Sequence, residues 1–342
     1  MKLWKTAWRF LPLSLLVFVL TGCFGEENLT ALDPKGPQAQ WIFDNMLLSL
    51  YVMAFVTIVV FAIFFIILAK YRRKPGDEVL PEQVHGNTTL EIVWTVIPII
   101  LLTILAVPTI TGTFYIADRS LDPVAGEDTV QIKVTGHQFW WQFDYEEEGF
   151  TAGQEVYIPA GEKVLFELHA SDVAHAFWVP ALGGKIDTVP GITNYIWLEA
   201  DEPGVYKGKC AELCGPAHAL MDFKVVALDR GEYNAWVTGM QAEVVEPTET
   251  LAQQGRAVFQ DNSCIGCHAV GGVGTAAGPA LTNFADREVI VGYLENTDEN
   301  LERWIRDTLS VKERNNMPSF PDMSDEDMEA LIAYLRTLSV RE

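Results

Sequence analysis

The chain has 342 residues, 49% of them apolar and 20% charged. That is too long for one ordinary domain and too apolar for a disordered chain. Its net charge of −22, from 24 basic and 46 acidic side chains, argues against a nucleic-acid binder, which needs a basic face for phosphates. The five cysteines, Cys23, Cys210, Cys214, Cys264 and Cys267, form one lone residue and two close pairs. An odd count so arranged fits a disulfide scaffold badly. Residues 117–342 hold 16 basic and 38 acidic side chains, the whole deficit; residues 1–116 balance at 8 and 8.

At the start, Lys2, Lys5 and Arg9 precede an uncharged run from Phe10 to Leu20, followed by Thr21-Gly22-Cys23. A basic head, a short apolar stretch and small residues read as a secretory signal over 1–22. Its ending resembles the bacterial lipoprotein signal, which implies lipidation of Cys23; an ordinary signal peptide is the alternative. Residues 23–40 then form an extracytoplasmic segment.

No charge occurs between Asp44 and Lys70, or from Ile92 to Ala117. At about 1.5 Å per residue each run crosses a core of about 30 Å, so 41–118 reads as a helical membrane hairpin. The loop opens Lys70-Tyr71-Arg72-Arg73-Lys74, and basic residues at a span's end mark the cytoplasmic side. Both termini and everything after 117 therefore lie outside. Neither run contains His, Asp, Glu, Lys or Arg, so neither ligates haem iron nor builds a proton relay. Glu91, at the cytoplasmic mouth of the second span, suits a helix N-terminus.

From about 129 to 228 short alternating runs (Thr129–Thr135, Lys163–His169, Ile192–Leu198, Met221–Leu228) alternate with turns. This predicts a β-sandwich or barrel over 119–240. Within it lies Cys210-Ala-Glu212-Leu-Cys214-Gly-Pro-Ala-His218-Ala-Leu-Met221, with His175 upstream. Thiolate, imidazole and thioether are soft ligands that suit copper. A second cysteine exceeds a mononuclear blue-copper set, and two bridging thiolates with one imidazole per metal make a two-copper centre. Zinc and a Cys210–Cys214 disulfide are the alternatives; the thioether favours copper.

The segment CAELCGPAHALM resembles the copper A loop of cytochrome c oxidase subunit II. So do Gly136-His137-Gln138-Phe139-Trp140-Trp141, DVAHAFWVP, Gly184–Gly191 and the second span from Leu90 to Pro98, about 200 residues in order. The resemblance implies a cupredoxin-like fold and copper ligation by His175, Cys210, Cys214, His218 and Met221. It implies that Glu212 ligates copper through its carbonyl, its carboxylate reaching a magnesium or manganese ion shared with subunit I. Glu91 would mark the entrance of a proton channel in subunit I, and Asp187 would lie near that subunit boundary. Where the family often has Trp to receive an external electron, this chain has Phe139, followed by Trp140 and Trp141. The three rings are electron-path candidates, or simply an aromatic strand packed on the sandwich. Ile192 likewise replaces a frequent Arg.

Gln241–Thr250 is polar and acidic with one proline, and reads as a linker. Cys264-Ile-Gly-Cys267-His268 is the c-type haem attachment pattern, with the thiols on the vinyl groups and His268 on iron. Met317, before Pro318, is the candidate sixth ligand, with Met323 second. Met328 falls on an amphipathic helix capped at Ser324 and reads as core, and Trp304 reads as core against the haem edge. Residues 251–342 resemble an all-α class I cytochrome c.

The sequence therefore predicts subunit II of a haem–copper oxygen reductase of the bacterial cytoplasmic membrane with its own cytochrome c. Its cofactors would be a binuclear copper A, one covalent haem c, and magnesium or manganese. Its partners would be subunit I, other oxidase subunits, and a donor such as a bc-type complex or small redox carrier. Oxygen reduction, with proton translocation, belongs to subunit I, since the spans hold no histidine. A tethered carrier without a fixed oxidase is the alternative. Six histidines are too few for a nitrous oxide reductase, and quinol oxidase subunits lack the copper ligands.

Overall fold

The computed structural model describes residues 26–72, 75–76, 85–120 and 130–341. The signal segment and Cys23 lie outside the described residues, as do Arg73 and Lys74 of the basic loop. The chain divides into two units, residues 40–118 and the remainder.

The first unit is helical. Helix α1 spans Pro37–Tyr71 and α2 spans Thr88–Ile116. Both are long and apolar enough to cross a membrane, and their large apolar side chains, among them Phe61, Phe65, Trp94 and Phe114, are exposed. Asn87 caps α2, its side-chain oxygen accepting from the Leu90 N–H at 3.1 Å, with Glu91 in the first turn. Hydroxyls of Thr95, Thr103 and Thr109 donate to the carbonyls four residues back, so these polar groups are satisfied within the helix.

The second unit opens with residues 26–39, tied to the sandwich: Lys35 N–H donates to Ala181 O at 2.7 Å, and Gln38 Nε2 to Trp197 O at 2.9 Å. The strands are β1 (Gln131–His137), β2 (Trp140–Tyr145), β3 (Phe150–Gly153), β4 (Glu155–Pro159), β5 (Val164–Ala170), β6 (His175–Trp178), β7 (Lys185–Thr188), β8 (Asn194–Leu198), β9 (Gly204–Cys210) and β10 (Asp222–Leu228). They form two five-stranded sheets, ordered β3-β2-β1-β5-β8 and β4-β10-β9-β6-β7. Alternation sends Ile132 and Val134 of β1 inward and Lys133 and Thr135 outward, the period of two that the sequence showed. Between the sheets Trp141, Phe177 and Phe223 pack, the last two stacked at 4.6 Å. One element was not predicted: helix α3, Arg230–Gln241, which buries Tyr233, Trp236 and Met240. Trp236 stacks on Tyr157 at 4.3 Å, closing one end of the sandwich.

The C-terminal module is helical: α4 (Thr250–Asp261), α5 (Asp298–Arg306), the single turn α6 (Thr308–Val311) and α7 (Asp325–Arg336). Ser324 caps α7, accepting from the Asp327 N–H. Met328, Leu331, Ile332, Leu335 and Leu338 are all core, as the helical spacing requires. Helices α4 and α7 cross closely because Gly255 lies on the Ala330 backbone, where a Cβ would overlap the carbonyl. Phe259 and Tyr334 fill the adjoining gap at 5.5 Å. The module rests on the sandwich through the Lys224–Glu288 ion pair at 2.5 Å, Arg341 over the Tyr157 ring, and Lys312 on the Phe139 carbonyl.

Candidate metal and haem sites

Strand pairing assembles the first site. Cys210 ends β9 opposite Phe177 of β6, and His175 begins β6. The loop 211–221 returns to β10, closed by the Cys210 N–H on Met221 O at 3.2 Å. Ligand atoms of His175, Cys210 and Cys214 lie within 4.8 Å of one another, and all three residues are buried. The two sulfurs stand 3.8 Å apart, well beyond the roughly 2.05 Å of a disulfide bond. His175 Nδ1 lies 3.9 Å from Cys210 Sγ, and His218 Nδ1 lies 3.6 Å from Cys214 Sγ. Met221 Sδ is 3.8 Å from Cys214 Sγ, and Glu212 O is 3.3 Å from Cys210 Sγ. Two sulfurs at the centre, an imidazole on each flank, and a thioether and a carbonyl beyond make a donor set that fits two soft cations.

Asp172 was not recognised as a site residue from sequence. Its Oδ1 lies 2.8 Å from His175 Nε2, so Nε2–H donates to the carboxylate and Nδ1 turns its lone pair toward the thiols. Burial raises the Asp172 pKa, but bonds from His175 and the Gln138 and Val173 N–H groups more than offset it, leaving it below the ordinary value. The Cys210 thiol is strongly lowered, chiefly because the Cys214 S–H donates to it; the same bond, with burial, pushes Cys214 up. The shared S–H thus favours the thiolate at Cys210, and a cation bound between the sulfurs would favour it at Cys214 as well.

The aromatic strand divides by depth. Trp141 is buried, edge-on to His175 at 5.9 Å. Trp140 is half-buried and stacks on His137 at 4.2 Å. Phe139 is buried beside Gly215 of the metal loop, and Gln138 Nε2 donates to Cys214 O. Burial lowers the His137 pKa, and its nitrogens meet Ser171 and Gln142, so it is a satisfied structural histidine.

The second site is a cavity of about 390 Å³ lined by Cys264, Cys267, His268, Met317, Met323 and Trp304. Cys264–Gly266 forms one tight turn, placing the thiols and His268 on one rim. His268 Nδ1 donates to Pro279 O at 2.8 Å, which leaves Nε2 as the ligating atom. Burial lowers the His268 pKa, disfavouring the imidazolium. Met317 is held by its N–H on Asn315 Oδ1 at 2.8 Å and its carbonyl under the Thr308 hydroxyl at 2.9 Å. An apolar cavity with two thiols, an imidazole and a thioether fits a covalent haem. Gln138, Phe139 and Trp140 of the copper-type domain also line it. Glu212 is half-buried in the metal loop, Asp187 lies on β7, and Glu91 lies at the start of α2.

A membrane-anchored chain with a cupredoxin sandwich and a cytochrome c module belongs to the class of electron-transfer subunits. Family models match in the same order: the transmembrane domain of cytochrome c oxidase subunit II over residues 30–111, its periplasmic domain over 148–228, and cytochrome c over 252–339. Cytochrome c oxidase subunit 2 of Alkalihalophilus pseudofirmus is 79% identical over 342 residues, 100% of both chains. That of Bacillus sp. strain PS3 is 44% identical over 97% of this chain and 98% of its own. A quinol oxidase subunit 2 from Bacillus cereus is 37% identical over 73% of this chain and 86% of its own. The chain belongs to the cytochrome c oxidase subunit II family, with a cytochrome c domain at its C-terminus. Membership brings copper A and haem, a membrane anchor, and association with other oxidase subunits.

Proposed function

We propose that this chain receives electrons at a haem c held by Cys264, Cys267, His268 and Met317, and delivers them through a binuclear copper A to subunit I. The copper pair would be held by His175, Cys210, Cys214, His218, Met221 and the carbonyl of Glu212. Both groups, when bound, supply one-electron carriage without proton chemistry. The observation that carries this reading is the shared wall: Phe139 and Trp140 line the haem-sized cavity while Phe139 and Gln138 touch the loop of Cys214 and Gly215. Phe139 and Trp140 thus form the exchange surface, and buried Trp141 supports His175.

The same reading assigns the Glu212 carboxylate to magnesium or manganese at the subunit I boundary and Glu91 to a proton-channel entrance there. It places both termini and both exported modules outside the bacterial cytoplasmic membrane, lipidates Cys23, and divides the chain at 22, 40, 118, 240 and 250. The donor would be a bc-type complex or a small carrier. Flash reduction of the haem in the purified oxidase tests the route. A haem-to-copper rate independent of protein concentration is expected, since a tethered donor reacts intramolecularly. A rate that scales with concentration would refute it.

A further inference from the structure

Gln154 joins β3 to β4 with φ +67, a left-handed conformation that favours glycine and that side-chain-bearing residues hold only against strain. The residue is 5% exposed. Its N–H donates to Trp141 O at 3.0 Å, its carbonyl accepts from the Lys224 N–H at 3.1 Å, and its Oε1 accepts from the Trp141 N–H at 2.9 Å. With Oε1 so tied, the free end of the amide is Nε2, which has no partner. Gln154 lines the haem cavity although it belongs to the copper domain.

Across the seam stands Arg287, 6% exposed and lining the same cavity. Its Nη2 donates to Ala280 O and to Asn283 Oδ1, while Nε has no partner. The segments that carry the two residues meet at one corner. Gly153, beside Gln154, lies so close to Pro279 that a Cβ would come within 2.6 Å of it, and Pro279 precedes the Ala280 whose carbonyl Arg287 holds. Two buried, unpaired N–H donors from opposite modules therefore flank an apolar cavity. Buried donors are rarely left unpaired, and the carboxylates of a haem are acceptors of the required kind.

We propose that Gln154 donates its carboxamide N–H to a haem carboxylate beside Arg287, so that both exported modules hold the one haem. The proposal rests on the haem reading of Cys264, Cys267 and His268. Gln154 is then a positioning residue with two hands: Nε2 on the haem, Oε1 on the backbone of Trp141, whose ring packs on His175. Haem loading fixes the docking of the module against the copper domain. Glu155, next in the chain, has an unpaired buried Oε1 and feels the Arg287 charge; a water shared with it is the competing partner for Nε2.

The test is resonance Raman spectroscopy of the haem carboxylate-bending band in the purified oxidase. Haem content, measured first from the pyridine haemochrome spectrum, tests the underlying reading separately: a wild-type chain without covalent haem overturns both. In Gln154→Leu, with haem and the copper A absorption retained, the band is expected to shift to lower frequency as the donor is lost. A band at the wild-type position overturns the proposal. A band that moves in Glu155→Gln but not in Gln154→Leu assigns Nε2 to the water and also overturns it. If Gln154→Leu does not assemble, Gln154→Met, unbranched and of similar length, removes the donor without adding a charge or an O–H. The same downward shift is expected there, and its absence is equally decisive.

Discussion

Lys312 of the haem module donates from Nζ to the carbonyl of Phe139 in the copper domain at 2.8 Å, and to Val291 O at 2.7 Å. The residue is 4% exposed, and among the described residues its Nζ hydrogen-bonds to these two carbonyls alone. It ties the segment leading to Met317 to the turn between β1 and β2, whose Gln138 holds Cys214 O. Lys312→Met is expected to slow haem-to-copper transfer in flash reduction while leaving both spectra in place. Below about pH 7, where the amine is charged, hydrogen bonds to it contribute about 1.5–3 kcal/mol each, and relief of the buried charge offsets part of that loss.

The same residue carries a pH signature. Burial pushes its ammonium from the ordinary 10.5 down to about 7. Between those values the unfolded chain binds the proton and the folded chain does not. Stability from this group therefore grows as pH rises above about 7 and is lost as pH falls through it. Resistance of residues 242–249, between α3 and α4, to limited proteolysis should rise over that window in the wild type. In Lys312→Met that rise should be absent.

Asp172 sets the tautomer of His175, so Asp172→Asn should weaken copper binding by about 10- to 100-fold, the usual cost of losing such a partner. Copper competition against a chelator measures it. Haem content should not change, because the hydrogen bonds of Asp172 go to Gln138, Val173 and His175 rather than to Cys264, Cys267 or His268.

Met317→Ala should lower the haem potential, since thioether ligation raises it, and should open the sixth position to carbon monoxide. Met323→Ala should do neither. The two results together separate the two methionines that line the cavity.

Trp236 packs against Tyr145, Phe150, Tyr157 and Tyr233. Trp236→Ala should destabilise the sandwich by about 3–5 kcal/mol, the range for deleting a large buried ring. Urea unfolding followed by the copper A absorption reads this out.

Most of the architecture was legible in sequence because it depends on local pattern. The uncharged runs became α1 and α2, the alternating runs became strands within about two residues of their predicted starts, and Ser324 capped its helix. The metal loop and the C-x-x-C-H segment were readable because their ligands lie a few residues apart. What could not be read was decided by packing between modules. Lys312 in sequence is an ordinary surface lysine, and Gln154 an ordinary turn residue. Helix α3 was missed because its buried face, Tyr233, Trp236 and Met240, is too short for a clear helical period. The three aromatic residues after Gln138 gave no sign of which faced haem; their depth follows from the pleat and from the docked module.

The central claim is that one chain carries both a two-copper centre and a covalent haem, and copper and haem analysis of the purified full-length chain tests it most directly. Two coppers and one haem per chain are predicted, with Cys210→Ser and Cys214→Ser each losing copper A while keeping the haem. Zinc in place of copper, a single copper, or copper surviving the loss of either thiolate would contradict the account.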